Sequence, residues 1–190
     1  MIIHWDCLEE MKKIPDGSID CIITDPPYWT TACKWDTIIP FEPMWEQLRR
    51  IIKPNGAIVL FWSEPFSSAL RMSNIKMYKY DWIWNKKLAW NWILAKIQPL
   101  KIHELVHVFS GWKVIYNPQM TKWKLRSKMW IKTSEINGWE WFAKETYNNE
   151  YYPVSIQEFS LAWLGKDRLH PTQKPVALIE YLIKTYTNEW

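Results

Sequence analysis

The stretch Cys21-Ile-Ile-Thr-Asp-Pro-Pro-Tyr-Trp-Thr-Thr31 (CIITDPPYWTT) joins a short apolar run to an acidic, proline-rich corner. Residues Ile19 to Thr24 have the length and β-branched composition of a buried strand. The two prolines fix φ at successive positions and restrict the residues before them, so the following loop is stiff. In open α/β sheets, ligands bind just beyond the C-terminal ends of strands. The stretch therefore predicts a rigid ligand-binding corner at the edge of an α/β sheet.

The segments on either side of this corner alternate between helix and strand patterns. Apolar residues recur at helical spacing over residues 8–14, and Pro43 suits the first turn of a second helix. Ala57 to Phe61 predicts a second buried strand, and Ser63 is a candidate cap for a helix over residues 65–72. This order of elements predicts an α/β domain with a largely parallel sheet.

The regular alternation is lost beyond Lys86. Only two strand-like runs stand out between there and residue 160, over Ile102–Phe109 and Lys113–Tyr116, and helical periodicity returns at Pro175. The sequence therefore predicts three parts, namely a catalytic α/β part over residues 1–85, an irregular insertion over 86–165, and a helix returning to the core over 166–190.

Composition narrows the class of protein. The chain has 190 residues, is 48% hydrophobic, and carries a formal charge of +4, which suits a folded domain and permits nucleic acid as a partner. Its three cysteines form no CxxC pair, which indicates reduced thiols rather than a disulfide framework, and no metal site is predicted. No run approaches the length of a membrane span or a signal peptide. We expect a cytoplasmic protein.

A carboxylate and an aromatic ring stand together at the corner. Asp25 and a loop carbonyl can accept hydrogen bonds from one exocyclic amine while Tyr28 offers a stacking face, which suits an amino-bearing nucleobase. A second motif, His170-Pro-Thr-Gln-Lys-Pro175 (HPTQKP), opens the final predicted helix. D-P-P-Y followed by a basic segment and H-P-T-Q-K-P resembles the beta class of the amino-methylating DNA methyltransferases, the N-4/N-6 DNA methylase family. The resemblance covers most of the chain.

This resemblance implies an incomplete Rossmann-like, S-adenosylmethionine-dependent methyltransferase core with an irregular basic insertion. It assigns catalysis to Asp25, Pro26, Pro27 and Tyr28. It assigns binding of S-adenosylmethionine to Asp6, His170, Thr172, Gln173 and Lys174, although Asp6 suits a helix N-cap at least as well. The implied reaction is attack on the sulfonium methyl by the exocyclic amine of a base flipped out of double-stranded DNA, without a covalent enzyme intermediate.

The acid at position 25 bears on the target base. Asp rather than Ser there resembles the adenine-N6 members of the family, so N6 of adenine is the expected target and N4 of cytosine the alternative. Two other classes stay open, a non-catalytic DNA-binding remnant and a methyltransferase acting on RNA or protein. The family's setting is site-specific methylation in restriction–modification, and its members often pair, which allows a homodimer.

The predicted insertion contains a basic stretch. Between Lys113 and Thr133 the sequence has six basic residues and no acid, where the resemblance places the target-recognition region. Phosphate contacts from such residues set affinity and salt dependence rather than sequence preference, and the alternative is a solvated loop. The candidate DNA-binding residues are Lys113, Lys122, Lys124, Arg126, Lys128 and Lys132.

The beta-class order next supplies a strand and a glycine-rich F-x-G-x-G cofactor loop. No such loop occurs in this sequence. We therefore expect a C-terminally truncated chain that is completed by a missing or separately encoded C-terminal fragment. Weak or no S-adenosylmethionine binding by this chain alone is the expected result of calorimetry.

Tryptophan and glycine are both unusual in number. Glycine occurs 5 times, where average usage of about 7% gives roughly 13, while tryptophan occurs 16 times. Several tryptophans occupy positions where a turn usually has glycine, such as Trp29 and Trp112. We hypothesise that eleven of them correspond to a codon that the source organism reads as glycine, namely those at positions 5, 29, 62, 90, 92, 112, 123, 130, 139, 163 and 190.

Overall fold

The computed structural model describes residues 3–27, 39–89, 91–128, 146–160 and 173–188. The chain divides into two compact units, Met1–Asn117 with Ser155–Trp190, and Pro118–Val154. The predicted boundaries of the three parts at residues 85 and 165 stay a prediction.

The first unit combines four α-helices with five strands among its described residues. These elements are α1 (Cys7–Met11), β1 (Ile19–Thr24), α2 (Phe41–Ile51), β2 (Ile52–Trp62), α3 (Phe66–Ser73), β3 (Tyr78–Asn85), β4 (His103–Phe109), β7 (Ile156–Glu158) and α4 (Val176–Tyr186). A 3₁₀ turn over Trp92–Leu94 lies between β3 and β4. The second unit contains an antiparallel pair, β5 (Thr121–Lys128) and β6 (Thr146–Tyr151).

The five strands form one sheet in the order β1-β2-β4-β3-β7. β1 is parallel to β2 and β3 is parallel to β7, whereas β4 is antiparallel to both of its neighbours. Four strands therefore run in one direction and β4 runs against them, which confirms the predicted α/β class with a largely parallel sheet. β1, β2, β3 and β7 end, and β4 begins, along one edge of this sheet, which we call the Asp25 edge.

Helices bury both faces of the sheet. On one face, Leu178 and Leu182 of α4 pack with Trp82 and Trp84 of β3. On the other face, side chains of α2 and α3 pack with Ile58 and Leu60 of β2 and with Phe109. A strand covered on both faces needs an uninterrupted apolar sequence, which explains why the predicted run Ala57–Phe61 shows no alternation.

Three local predictions are confirmed. β1 has the predicted bounds, and β4 matches the strand-like run over Ile102–Phe109 to within one residue. α2 contains Pro43 in its first turn, where the missing proline N–H is not needed for a helical hydrogen bond.

Two local predictions are wrong. The strand predicted over Lys113–Tyr116 does not form, and residues 111–120 contain no strand. The N–H groups of Ile115 and Asn117 donate instead to the carbonyls of Asn55 (3.0 Å) and Thr185 (2.8 Å). Ser63 does not cap α3 through its side chain: Pro65 occupies the N-cap position and makes no side-chain capping bond.

Candidate active site

Asp25 directly follows the last residue of β1, so the sheet places its carboxylate at the Asp25 edge. The side chain is 27% exposed, which leaves it accessible to a ligand. Pro26 is buried behind it and Pro27 is half-buried, which is consistent with the predicted stiffness of the corner. Tyr28, the fourth residue of the predicted catalytic motif, lies outside the described residues.

Lys174 brings the second sequence motif to this corner. Its ammonium group donates a hydrogen bond of 2.6 Å to Asp25 Oδ2, although the two residues are 149 positions apart. Lys174 lies just before Pro175, the N-cap of α4, and α4 is fixed by its packing on the sheet. The side chain is only 12% exposed. The D-P-P-Y and H-P-T-Q-K-P motifs therefore meet in space at one ion pair.

Two further charged residues, which the sequence reasoning missed, complete the site. Glu104 near the start of β4 lies 3.4 Å from the Lys174 ammonium through Oε2, and its Oε1 accepts a hydrogen bond of 3.0 Å from Lys86. Asp25, Lys174, Glu104 and Lys86 thus form a chain of alternating charge, which we call the charge cluster. The available signal was a Lys and a Glu at the ends of otherwise apolar strands.

The electrostatics of the charge cluster keep Glu104 ionised. Burial raises the pKa of this carboxyl, but the positive charges of Lys174 and Lys86 outweigh that effect and lower the pKa below its ordinary value. The Lys174 ammonium also lies 5.3 Å from the ring centre of Phe61 and 6.0 Å from that of Trp84. These aromatic faces further stabilise a cation at this point.

The other predicted cofactor residues are distributed differently. Asp6 is the N-cap of α1, where its Oδ1 accepts hydrogen bonds from the N–H groups of Leu8 (2.8 Å) and Glu9 (3.2 Å). Gln173 is half-buried next to Lys174, whereas His170 and Thr172 lie outside the described residues. The structure therefore brings Lys174 to Asp25 and assigns Asp6 a capping role.

Within the charge cluster, the Lys174 ammonium suits the carboxylate at the methionine end of S-adenosylmethionine. The ammonium of Lys174 has three donor hydrogens, and the carboxylates of Asp25 and Glu104 account for two of them, which leaves one for a further acceptor such as a ligand carboxylate. The rings of Phe61 and Trp84 are almost fully buried beside the Lys174 ammonium, so they stabilise this lysine and do not offer a free face to a sulfonium group. A cavity of about 420 Å³ lies between β1 and α4 and contains no residue of the charge cluster. It is lined by Ser18, Ile19, Asp20, Cys21, Ile23, Ile179, Ile183 and Thr187.

The predicted DNA-binding residues fall on both units. Lys113 is exposed on the first unit, and Lys122 and Lys124 are exposed on β5 of the second unit. Arg126 and Lys128 follow at alternate backbone positions of β5, and their side chains lie outside the described residues, as does Lys132.

Other chemistry is limited in the described parts of the chain. Burial raises the pKa of the Cys21 thiol to about 12, so this cysteine is protonated and unsuited to nucleophilic attack on a base. No group of three or more potential metal ligands occurs among the described residues. Over the same ranges, the helices are too short or too polar to cross a membrane.

Comparison with known proteins shows similarity to bacterial methyltransferases. The Type II methyltransferase M.HpaI of Haemophilus parainfluenzae is 25% identical over 99% of this chain, and the DNA adenine methyltransferase YhdJ of Escherichia coli K12 is 26% identical over 98%. The Type II methyltransferase M.HinfI of Haemophilus influenzae is 26% identical over 96%. The chain spans 60%, 67% and 54% of the lengths of these three relatives.

Solved structures share the fold. The PvuII DNA methyltransferase (cytosine-N4-specific) superposes with a TM-score of 0.62 at 16% identity, over 97% of this chain and 69% of that protein. The M1.HpyAVI–SAM complex superposes with a TM-score of 0.56 at 20% identity, over 98% and 76%. A family model described as DNA methylase matches residues 19–189, which is most of the sequence. The chain therefore belongs to the N6/N4 DNA methylase family.

Proposed function

We propose that this chain carries the catalytic and target-recognition parts of a site-specific DNA methyltransferase, which transfers a methyl group from S-adenosylmethionine to the exocyclic amine of a flipped base. The observation that carries the proposal is the 2.6 Å contact between Lys174 and Asp25, which joins the two family motifs at the end of β1. A carboxylate held at a sheet edge beside a buried cation is suited to orienting a polar reactant.

Asp25 and the backbone carbonyl of Pro26 act on the amine of the target base. An amine conjugated to an aromatic ring is a poor nucleophile because its lone pair is delocalised. Two acceptors that bind its two hydrogens favour a pyramidal nitrogen and direct the lone pair away from the ring. S-adenosylmethionine supplies an electrophilic methyl carbon when bound. Lys174 donates a hydrogen bond to the Asp25 carboxylate and so orients it toward the amine.

Adenine is the proposed target base. The acid at the first position of D-P-P-Y supports N6 of adenine, and one relative of similar sequence is named as a DNA adenine methyltransferase. N4 of cytosine is the second candidate, and the likeness to a cytosine-N4-specific enzyme supports it at the level of the fold alone.

Double-stranded DNA is the proposed partner. The basic residues of β5, which have no acid near them in the sequence, support contact with phosphates. A homodimer and a separately encoded C-terminal fragment stay predictions, and so does an RNA or protein acceptor in place of DNA.

The test uses the protein expressed from its complete gene, tritiated S-adenosylmethionine and unmethylated genomic DNA. We expect label in N6-methyladenine after nuclease digestion and chromatography. Asp25→Ala should reduce the transfer rate by at least about 100-fold while DNA binding is retained. The matched control is Glu180→Ala, which removes an exposed acid paired with Lys184 and should leave the rate unchanged.

Each other outcome identifies a different function. Label in N4-methylcytosine would replace adenine by cytosine as the target. DNA binding without any transfer by the wild-type protein would leave the non-catalytic remnant, and transfer to RNA or protein alone would exclude DNA as the acceptor.

A further inference from the structure

The segment between β3 and β4 forms a closed loop at the Asp25 edge. The N–H of Lys86 donates to the carbonyl of Ile102 at 2.8 Å, which closes the neck of the loop. We call the described residues 87–89 and 91–101 the apolar loop. Because β3 ends and β4 begins at the edge where β1 ends, this loop leaves and re-enters the sheet on the side of Asp25.

The apolar loop exposes side chains that would ordinarily be buried. Ile93 is 97% exposed and Ile97 is 79% exposed, and Leu88, Trp92 and Leu94 are exposed beside them. Scattered single apolar residues are normal on a protein surface, but a contiguous group of this kind marks an interaction site.

This loop has a defined internal structure. The Asn91 side chain donates to the carbonyl of Pro99 at 3.0 Å and accepts from the N–H of Lys101 at 2.7 Å, which ties its two halves together. The carbonyl of Leu94 accepts from the N–H groups of Ile97 and Gln98, each at 3.0 Å. The exposed isoleucines are therefore held on an ordered turn, which lowers the entropic cost of inserting them into a partner.

The positive charge of this segment indicates what kind of partner the apolar loop binds. Residues 86–103 contain four lysines and no acid. Lys86 and Lys87 pair with Glu104 and Glu158, while Lys96 lies between the two isoleucines and Lys101 follows them. A second copy of the chain would bring like charges together, whereas a DNA duplex offers phosphates for the lysines and a base stack for the apolar tip. Apolar wedges between base steps are a recognised way of unstacking DNA.

The neck of the loop is part of the charge cluster. Lys86 binds Glu104, and Glu104 contacts the same ammonium that holds Asp25. The apolar loop is therefore joined at its neck to the residues that hold Asp25.

We propose that the apolar loop inserts Ile93 and Ile97 into the DNA base stack, where they fill the gap left by the extruded base. This proposal rests on the proposed function, because it takes duplex DNA and base flipping as given. It assigns Ile93 and Ile97 to base extrusion, a role separate from the chemistry at Asp25.

The test compares two fluorescein-labelled duplexes by anisotropy, one intact and one with a single abasic site. The missing base has already opened the gap, so an inserting wedge should bind the abasic duplex more tightly, by about tenfold for the wild-type protein. The double variant Ile93→Ala/Ile97→Ala should lose this preference and bind the intact duplex within about twofold of wild type. Ile75→Ala removes an exposed isoleucine from the opposite edge of the sheet and should change neither affinity.

The remaining outcomes separate the two proposals. A double variant that keeps the abasic preference would overturn insertion by the loop. Wild-type binding without preference, in a protein that does methylate DNA, would overturn the loop proposal alone. No binding of either duplex would overturn the proposed DNA partner as well. A wild-type dimer that becomes monomeric in the double variant by sedimentation would reassign the loop to an interface between copies.

Discussion

At the residue scale, Lys174 is the link between the two sequence motifs and the rest of the charge cluster. Its ammonium contacts Asp25 and Glu104, and removing it would leave Glu104 with Lys86 and would take this counter-charge away from Asp25. A partly buried carboxylate without its counter-charge is destabilising, because desolvation is then uncompensated.

Replacement of Lys174 should therefore affect both stability and rate. We expect Lys174→Met to lower the free energy of unfolding by on the order of 2 kcal/mol and to slow methyl transfer, with partial recovery of the rate in Lys174→Arg. Urea unfolding and the tritium assay measure the two effects. The control is Lys184→Met, an exposed lysine paired with Glu180, for which the change should be below about 0.5 kcal/mol. Equal losses of stability and rate in Lys174→Met and Lys184→Met would contradict the role of Lys174 as the link in the charge cluster.

The buried His107 gives the fold a pH dependence. Its Nε2 lies 2.7 Å from Ser67 Oγ, and burial, assisted by Arg71, lowers the pKa of His107 to about 4. The folded state therefore keeps this ring neutral, while the unfolded chain takes up a proton below the ordinary value of 6.5. Stability should be fully present above that pH and fall as the pH drops toward 4.

We expect the free energy of unfolding to decrease by up to about 3 kcal/mol between pH 7 and pH 4 from this residue alone. His107→Gln should remove that part of the slope while it lowers stability at neutral pH. Urea unfolding at several pH values measures both curves, and parallel curves for wild type and variant would show that His107 does not titrate in this range.

At the scale of elements, β5 carries four of the six basic residues predicted to contact phosphates. Lys122 and Lys124 are exposed on it, and each phosphate contact contributes a slope of about 0.9 to the dependence of log affinity on log salt concentration. The double variant Lys122→Ala/Lys124→Ala should therefore reduce this slope by about 2 for duplex DNA. Lys12→Ala/Lys13→Ala, on lysines paired with Glu9 and Glu10 beside α1, should leave it unchanged. Anisotropy titrations across a salt series measure the slopes.

Elements with a strong local pattern could be predicted from the sequence. β1 and the second half of β2 are short, mainly apolar runs, and α2 and α4 have apolar faces at helical spacing, so the apolar pattern indicates these elements. The apolar Lys113–Tyr116 run failed because apolar alternation does not reveal whether a neighbouring strand is available for pairing, and here only isolated backbone bonds form.

The residues of the candidate active site also include some that could be predicted from the sequence and some that could not. Asp25 and Lys174 could be predicted only from the two motifs, because no local sequence pattern connects residues so far apart in the chain. Glu104 and Lys86 could not, because their importance comes from β4 inserting between β2 and β3 and carrying an acid to the edge where Lys174 arrives.

At the scale of the whole molecule, the tryptophans in the described parts of the chain fall into two groups by environment, while those at positions 29, 35, 90, 130, 139, 141, 163 and 190 lie outside them. Trp45, Trp82 and Trp84 are buried in the core, as their apolar sequence context indicates. Trp5, Trp92, Trp112 and Trp123, which the sequence marks as glycine-like positions, are exposed. Trp62 departs from the second group, because its indole is buried at the end of β2 and lies 6.1 Å from the ring of Phe41.

The difference in burial between the two groups of tryptophans predicts how Trp→Gly substitutions change the stability of the fold. Trp5→Gly and Trp112→Gly should each change the free energy of unfolding by less than about 0.5 kcal/mol, because neither indole is packed. Trp45→Gly and Trp84→Gly should each cost at least about 3 kcal/mol, because they empty a large volume in the core. Urea unfolding distinguishes the two pairs.

If the exposed group is read as glycine in the source organism, the gene should use one codon, UGA, for Trp5, Trp92 and Trp112 and another for the buried group. A shared codon for Trp45 and Trp112 would mean that the indoles at the turns belong to the native protein.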